Sequence, residues 1–165
     1  MSTVLTDLQL DTDCAAIVAA AKVYSSGIWA CVSVLYATGC REAEVLDRAR
    51  WAQKSADLYE LQPQKSNAPR LIKAADLSPV FIHWIAGSGY PSALASRNNL
   101  RRISRTFSIF PPLFCGSKGI SSHRFRHNRI RQLYAAGKST AEIMAIFGLS
   151  SPSIVTGYGT SALYY

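Results

Sequence analysis

The sequence predicts a mainly α-helical domain with a small antiparallel β-sheet, an α+β fold. Three observations carry this expectation. Apolar runs are repeatedly preceded by capping residues and closed by glycine, as helices are. Two short β-prone runs flank the proline-bounded segment Pro63-Gln64-Lys65-Ser66-Asn67-Ala68-Pro69 in the manner of a hairpin. No repeat, low-complexity tract or linker divides the 165 residues, a length that suits one domain burying roughly two-thirds of its unfolded surface.

In chain order, Asp11-Thr12-Asp13 can cap a helix over Cys14–Ser25, and Gly27–Ala37 reads as a second, nearly all-apolar helix. Val23–Cys40 is eighteen residues without a charge, the lower limit of a membrane span. Ser25, Ser26, Gly27, Ser33, Thr38 and Gly39 interrupt it, so a buried core helix is expected and no membrane partner. Thr38-Gly39 ends this helix and Arg41-Glu42-Ala43-Glu44-Val45-Leu46 starts a short third one. Asp57–Gln62 and Arg70–Ala74 form the hairpin, with Lys65 at its tip; its two prolines suit a turn and exclude a central strand. Helix returns near Pro79–Ala86 and over Ser92–Phe107, where Leu94, Leu100, Ile103 and Phe107 form an apolar stripe beside Arg97, Arg101, Arg102 and Arg105. A loop follows over Ser108–Gly119. Ser121 or Ser122 caps a helix from His123 to Ala136, Gly137 closes it, and Ser139 caps another over Thr140–Phe147.

Charge is distributed unevenly. Residues 1–82 hold 8 basic and 9 acidic side chains, whereas residues 83–165 hold 10 basic and 1 acidic, net +9. Nine Lys/Arg, two His and no acid lie between Arg97 and Arg131. Such one-sidedness points to a polyanion, most simply nucleic acid. The four cysteines, Cys14, Cys31, Cys40 and Cys115, show neither Cys-x-x-Cys spacing nor a dense disulfide pattern, so reduced thiols are expected. They do not combine with His83, His123 and His127 at ligand spacing, so neither metal nor cofactor is expected. Asp7, Asp11 and Asp13 precede the first apolar run, the wrong flank for a signal peptide.

Three segments can carry chemistry. His123 and Arg126, three residues apart at the start of a helix, share a face where free N–H groups and the helix dipole favour an anion. Arg41 follows a buried helix, and Glu44 can hold its guanidinium, whose planar fork suits two phosphate oxygens. Tyr158 lies between Gly157 and Gly159, a permissive backbone for a side chain that must reach a substrate.

The order of these elements resembles the catalytic domain of the tyrosine recombinases, the phage integrase family, from about Leu5 to Tyr158. Tyr36-Ala37-Thr38-Gly39-Cys40-Arg41-Glu42-Ala43-Glu44 and Ser122-His123-Arg124-Phe125-Arg126-His127 carry most of the likeness, and Gln64-Lys65-Ser66 looks like the family's lysine hairpin. The resemblance implies a DNA breaking-rejoining fold in which Tyr158 attacks a phosphodiester to leave a 3′-phosphotyrosine. Arg41 and Arg126 would clamp the non-bridging oxygens, Lys65 would protonate the leaving 5′-oxygen, His123 would assist at the nucleophile and Glu44 would support. Arg97, Arg101, Arg102, Arg105, Lys118, Arg124, Arg129 and Arg131 are then candidates for DNA-backbone contacts. A chain of this kind is expected to be a monomer alone and a tetramer on DNA, in a bacterial, archaeal or infected-cell cytoplasm or in a nucleus.

Three departures stand out. Leu149 occupies the family's His/Trp position and cannot donate a hydrogen bond; loss of one such donor costs on the order of 10²–10³ in rate unless His127, Ser150 or Ser151 substitutes. The motif starts too near Met1 for the family's N-terminal core-binding domain, so residues 1–165 are expected to be a single catalytic domain. Few residues follow Tyr158, Tyr164 and Tyr165 among them as fallback nucleophiles. Competing readings are a DNA-binding module without chemistry, since Ser139–Tyr158 also reads as a helix-turn-helix, a degenerate recombinase, and a strand nickase like the type IB topoisomerases.

Overall fold

The computed structural model describes residues 6–64, 68–88, 97–107 and 123–160; for Arg97, Asn98 and Arg101 it describes the backbone alone. Two helices open the chain. α1 (Asp7–Tyr24) is started by a capping box in which the Thr6 hydroxyl accepts the Gln9 N–H and the Gln9 side chain accepts the Thr6 N–H. It therefore begins about two turns before the expected cap. Asp11, expected to cap it, instead accepts bonds from the Tyr36 hydroxyl at 2.9 Å and from Asn128 and Gln132 at 3.1 and 2.7 Å. Ser25 ends α1 and caps α2 (Ser26–Thr38), whose Val32, Val34 and Leu35 are fully buried. Gly39, at φ 66°, terminates α2 in the left-handed conformation.

After α3 (Glu42–Val45) comes an antiparallel sheet in the order β1 (Trp51–Ser55), β2 (Leu58–Leu61), β3 (Arg70–Lys73). The β2–β3 pair is the expected hairpin, with Tyr59 opposite Ile72 and Leu61 opposite Arg70. β1 was not expected. Only Trp51 is buried and the next four residues are exposed, so it carries no alternation for a sequence pattern to reveal. α4 (Pro79–Ile85) starts on a Ser78 cap with proline at its first turn. In α5 (Arg97–Thr106) Leu100 and Ile103 are buried as the stripe required, but Phe107 just beyond the helix is exposed, and Leu94 and the 108–119 loop lie outside the described residues.

α6 (His123–Ala135), α7 (Thr140–Phe147) and α8 (Pro152–Thr160) are the last described elements. Among the described residues the apolar interior has two parts. The larger unites α1, α2, the sheet, α4 and α5 and takes in Phe125; the smaller joins Ile130, Leu133, Ile143, Phe147 and Val155. α6 thus contributes to both. Full burial of Phe125 and Ile130 is worth about 1.5–3 kcal/mol each, which fixes α6 as a beam between the two cores. No helix among the described residues is long and apolar enough to cross a membrane.

Candidate active site

The site is assembled around Glu44, which is 1% exposed. Gly39 reverses the chain after α2, and its missing Cβ matters: one placed there would lie 2.9 Å from the Arg129 Cβ and 3.0 Å from the Phe147 ring. This close approach sets the α2–α3 turn against α6 and α7. One Glu44 carboxylate oxygen accepts the Arg41 N–H at 2.7 Å and the other accepts the Gln64 N–H at 2.9 Å. The Glu44 backbone carbonyl accepts the Trp51 indole N–H at 2.9 Å. One carboxylate therefore ties the cap of α3 to the residue that precedes Lys65 in the chain.

Arg126 enters from α6. Its guanidinium lies 3.9 Å from Glu44, within ion-pair range but too far for a hydrogen bond. It faces the Phe147 ring at 4.9 Å and the Tyr158 ring at 5.5 Å. At 2% exposure, its Nε and one terminal nitrogen have no hydrogen-bond acceptor among the described residues. Burial, then the neighbouring Arg41 charge, push its pKa down to about 10, against the opposing influence of Tyr158 and Glu44. It remains a cation at neutral pH. Buried N–H donors without acceptors cost free energy that an incoming oxyanion offsets.

Tyr158 stands on α8 above the first turn of α6. Its ring is 6.1 Å from the His123 ring and 4.8 Å, edge-on, from that of His127. His123 and Arg126 thus share the face that their i, i+3 spacing implied, and His127 at i+4 joins them there. The glycines beside Tyr158 play a different part from the one expected. Neither has a positive φ, and both lie within the helix. Gly159 is required for packing, because a Cβ there would meet the Tyr134 ring at 2.6 Å.

The structure therefore brings Glu44, His123, Arg126 and Tyr158 together, with Arg41 at the cap of α3. Lys65, Lys118, Cys115, Tyr164 and Tyr165 lie outside the described residues. Leu149 packs against the smaller core, its N–H bonded to the Met144 carbonyl at 2.9 Å. Arg102 and Arg105 are exposed, as a backbone-contact role requires, and Arg129 is half-buried beside Gln132. Arg124 and Arg131 are buried and so do not form the exposed basic surface expected of them. The cause is periodicity: positions 124, 128 and 131 face inward on α6, where Asn128 meets Asp11 and Arg131 meets Asp7 of α1.

Sequence reasoning missed Arg70. It is 3% exposed, donates to the last carbonyl of α2 (Thr38, 2.8 Å) and to the Ile146 carbonyl of α7 (3.0 Å), and lies 4.3 Å over Phe147. Two guanidiniums, those of Arg70 and Arg126, thus lie against the Phe147 ring. A signal existed: in Arg70-Leu71-Ile72-Lys73, Arg70 falls on the inward side of the strand with Ile72.

No protein-family model matches the chain, and no curated protein matches it. Among solved structures, the crystal structure of XerA recombinase is similar, with a TM-score of 0.59 and 16% identity over 97% of this chain. The chain spans 59% of the length of that protein. The similarity is one of fold, and it agrees with the α+β architecture of mostly helices and a small three-stranded sheet read from the sequence.

Proposed function

We propose that this chain is a catalytic domain that breaks and rejoins double-stranded DNA, with Tyr158 as nucleophile, in the manner of a tyrosine recombinase. The observation that carries the reading is Arg126, a buried cation with unsatisfied N–H donors lying between Glu44 and the Tyr158 ring. Together with Arg41 it would hold the non-bridging oxygens of a phosphodiester and stabilise the charge of the pentavalent transition state. The Tyr158 oxygen would form a bond to phosphorus as the bond to the 5′-oxygen breaks. His123 would take the phenolic proton, and Lys65 would give one to the leaving oxygen. The 3′-phosphotyrosine keeps the bond energy, so resealing by a free 5′-hydroxyl needs no external energy source. The fold likeness to XerA recombinase and the net +9 of residues 83–165 support this reading. Assembly as a tetramer on DNA, and location wherever such DNA is handled, belong to the same proposal.

A second reading has its own observation. Leu149 is packed in a core and offers no side-chain donor, which favours a chain that binds DNA without cutting it. A library of nicked duplexes of randomised sequence, in which the short fragment bearing the freed 5′-hydroxyl is lost on cleavage, separates the two. Strand transfer predicts an SDS-stable protein–DNA band that is absent in Tyr158→Phe and retained in Tyr165→Phe. Binding without a band under any condition favours the non-cutting reading. Relaxation of supercoiled DNA without joining of two duplexes would indicate a topoisomerase-like nickase.

A further inference from the structure

The backbone carbonyl of Tyr158 is held by two side chains of α6 that the strand-transfer chemistry does not use. His127 Nδ1 lies 3.1 Å from this oxygen, and the Arg131 Nε–H donates to it at 3.3 Å. Tyr158 lies on α8, and both contacts to its carbonyl come from side chains of another element. Arg131 is itself anchored, its terminal nitrogen pairing with the Asp7 carboxylate of α1 at 3.3 Å. A chain of contacts runs from α1 through Arg131 to the tyrosine's own peptide group.

We propose that His127 and Arg131 form a positioning clamp that fixes the Tyr158 end of α8 against α6 and so sets the tyrosine ring over Arg126. Its consequence for catalysis rests on the strand-transfer reading above; its hold on α8 does not. Neither residue is assigned to the reacting atoms. A carbonyl only accepts, so a neutral His127 ring carries its proton on Nδ1. The same ring packs edge-on against the Tyr158 ring at 4.8 Å. His127 thus fixes both the peptide group and the side chain of one residue. Two bonds to one carbonyl also restrict rotation about the α8 axis of the turn that carries Tyr158, the movement that would carry the phenol away from Arg126. Glycines at 157 and 159 give this turn little side-chain packing of its own, which makes an external hold more consequential.

The test uses His127→Asn, which retains a nitrogen donor, His127→Phe, which retains the ring without it, and Arg131→Met. The first measurement is amide hydrogen exchange of the whole chain without DNA. The clamp predicts faster exchange over residues 152–160 in His127→Phe and Arg131→Met, unchanged protection in α1 and α2, and near-normal α8 protection in His127→Asn. The second is single-turnover cleavage of the duplex recovered from the nicked library. The expected result is a fall of about 10- to 100-fold at saturating DNA in His127→Phe with the dissociation constant held within about twofold, and substantial recovery in His127→Asn. Should Arg131→Met fail to fold, the two His127 variants carry the test alone. Unchanged exchange over α8 in His127→Phe, or a cleavage loss shared equally by His127→Asn, overturns the clamp. If no wild-type adduct forms but α8 loosens selectively, the clamp stands and the strand-transfer reading falls.

Discussion

Glu44 and Arg126 show how one residue can serve both fold and site. The Glu44 carboxylate is consumed by two backbone N–H groups, so it only partly compensates the guanidinium 3.9 Å away. Glu44→Gln keeps the volume but removes the negative charge beside Arg126. With a buried cation then less compensated, we expect a loss of about 2–4 kcal/mol in urea unfolding. His127 offers a second measurement. Burial holds its pKa at about 4, below the ordinary 6.5; Arg131, His123 and Arg124 push it the same way, and the Tyr158 carbonyl opposes them. The folded state thus prefers the neutral ring. Its contribution to stability is present in full above about pH 6.5 and is lost as the pH falls towards 4. His127→Asn should flatten the stability–pH curve in that window. An unchanged curve would mean that the ring is not buried as described.

At the scale of elements, most of what could be read was read through local chemistry. Capped helices, the Gly39 and Gly137 terminations and the β2–β3 hairpin all announce themselves through residues close in sequence. What escaped depends mostly on contacts between distant elements. α1 begins early for a local reason, the Thr6–Gln9 capping box, whereas the partners that take Asp11 (Tyr36, Asn128 and Gln132) are encoded by no local pattern. β1 is silent because it buries a single residue. Arg124 and Arg131, candidates for contacts to a DNA backbone, are buried, and Arg131 pairs with Asp7 of α1. The candidate site was legible as a set of residue types in order, whereas the buried Arg70 that joins the ends of α2, α7 and β3 was not. Two substitutions test this joint. Gly39→Ala must place a Cβ against Arg129 and Phe147 at φ 66°, which predicts a loss of about 2–4 kcal/mol. Arg70→Met leaves the Thr38 and Ile146 carbonyls without their donor, and a loss of about 2–4 kcal/mol is expected by the same denaturation measurement.

For the whole molecule, the charge asymmetry divides into two populations once burial is known. Arg70, Arg124, Arg126 and Arg131 are inside; Arg70 is met by carbonyls, Arg131 by an acid and Arg126 by aromatic faces. Arg102 and Arg105 are outside and free to follow a phosphate backbone. The salt dependence of DNA binding should register this difference. Replacing either exposed arginine with alanine should reduce the slope of log K against log salt by about one, with cleavage of bound DNA unaffected. Net charge therefore indicates the class of partner, while the seam between the two cores, where α3, α6, α7 and α8 meet, indicates where chemistry can occur. The most direct test of that claim is to trap the protein on the nicked duplex library, digest it, and map the nucleotide-bearing residue by mass spectrometry. The account predicts a 3′-linked nucleotide on Tyr158; an adduct on Tyr164 or Tyr165, or bound DNA with no adduct, would contradict it.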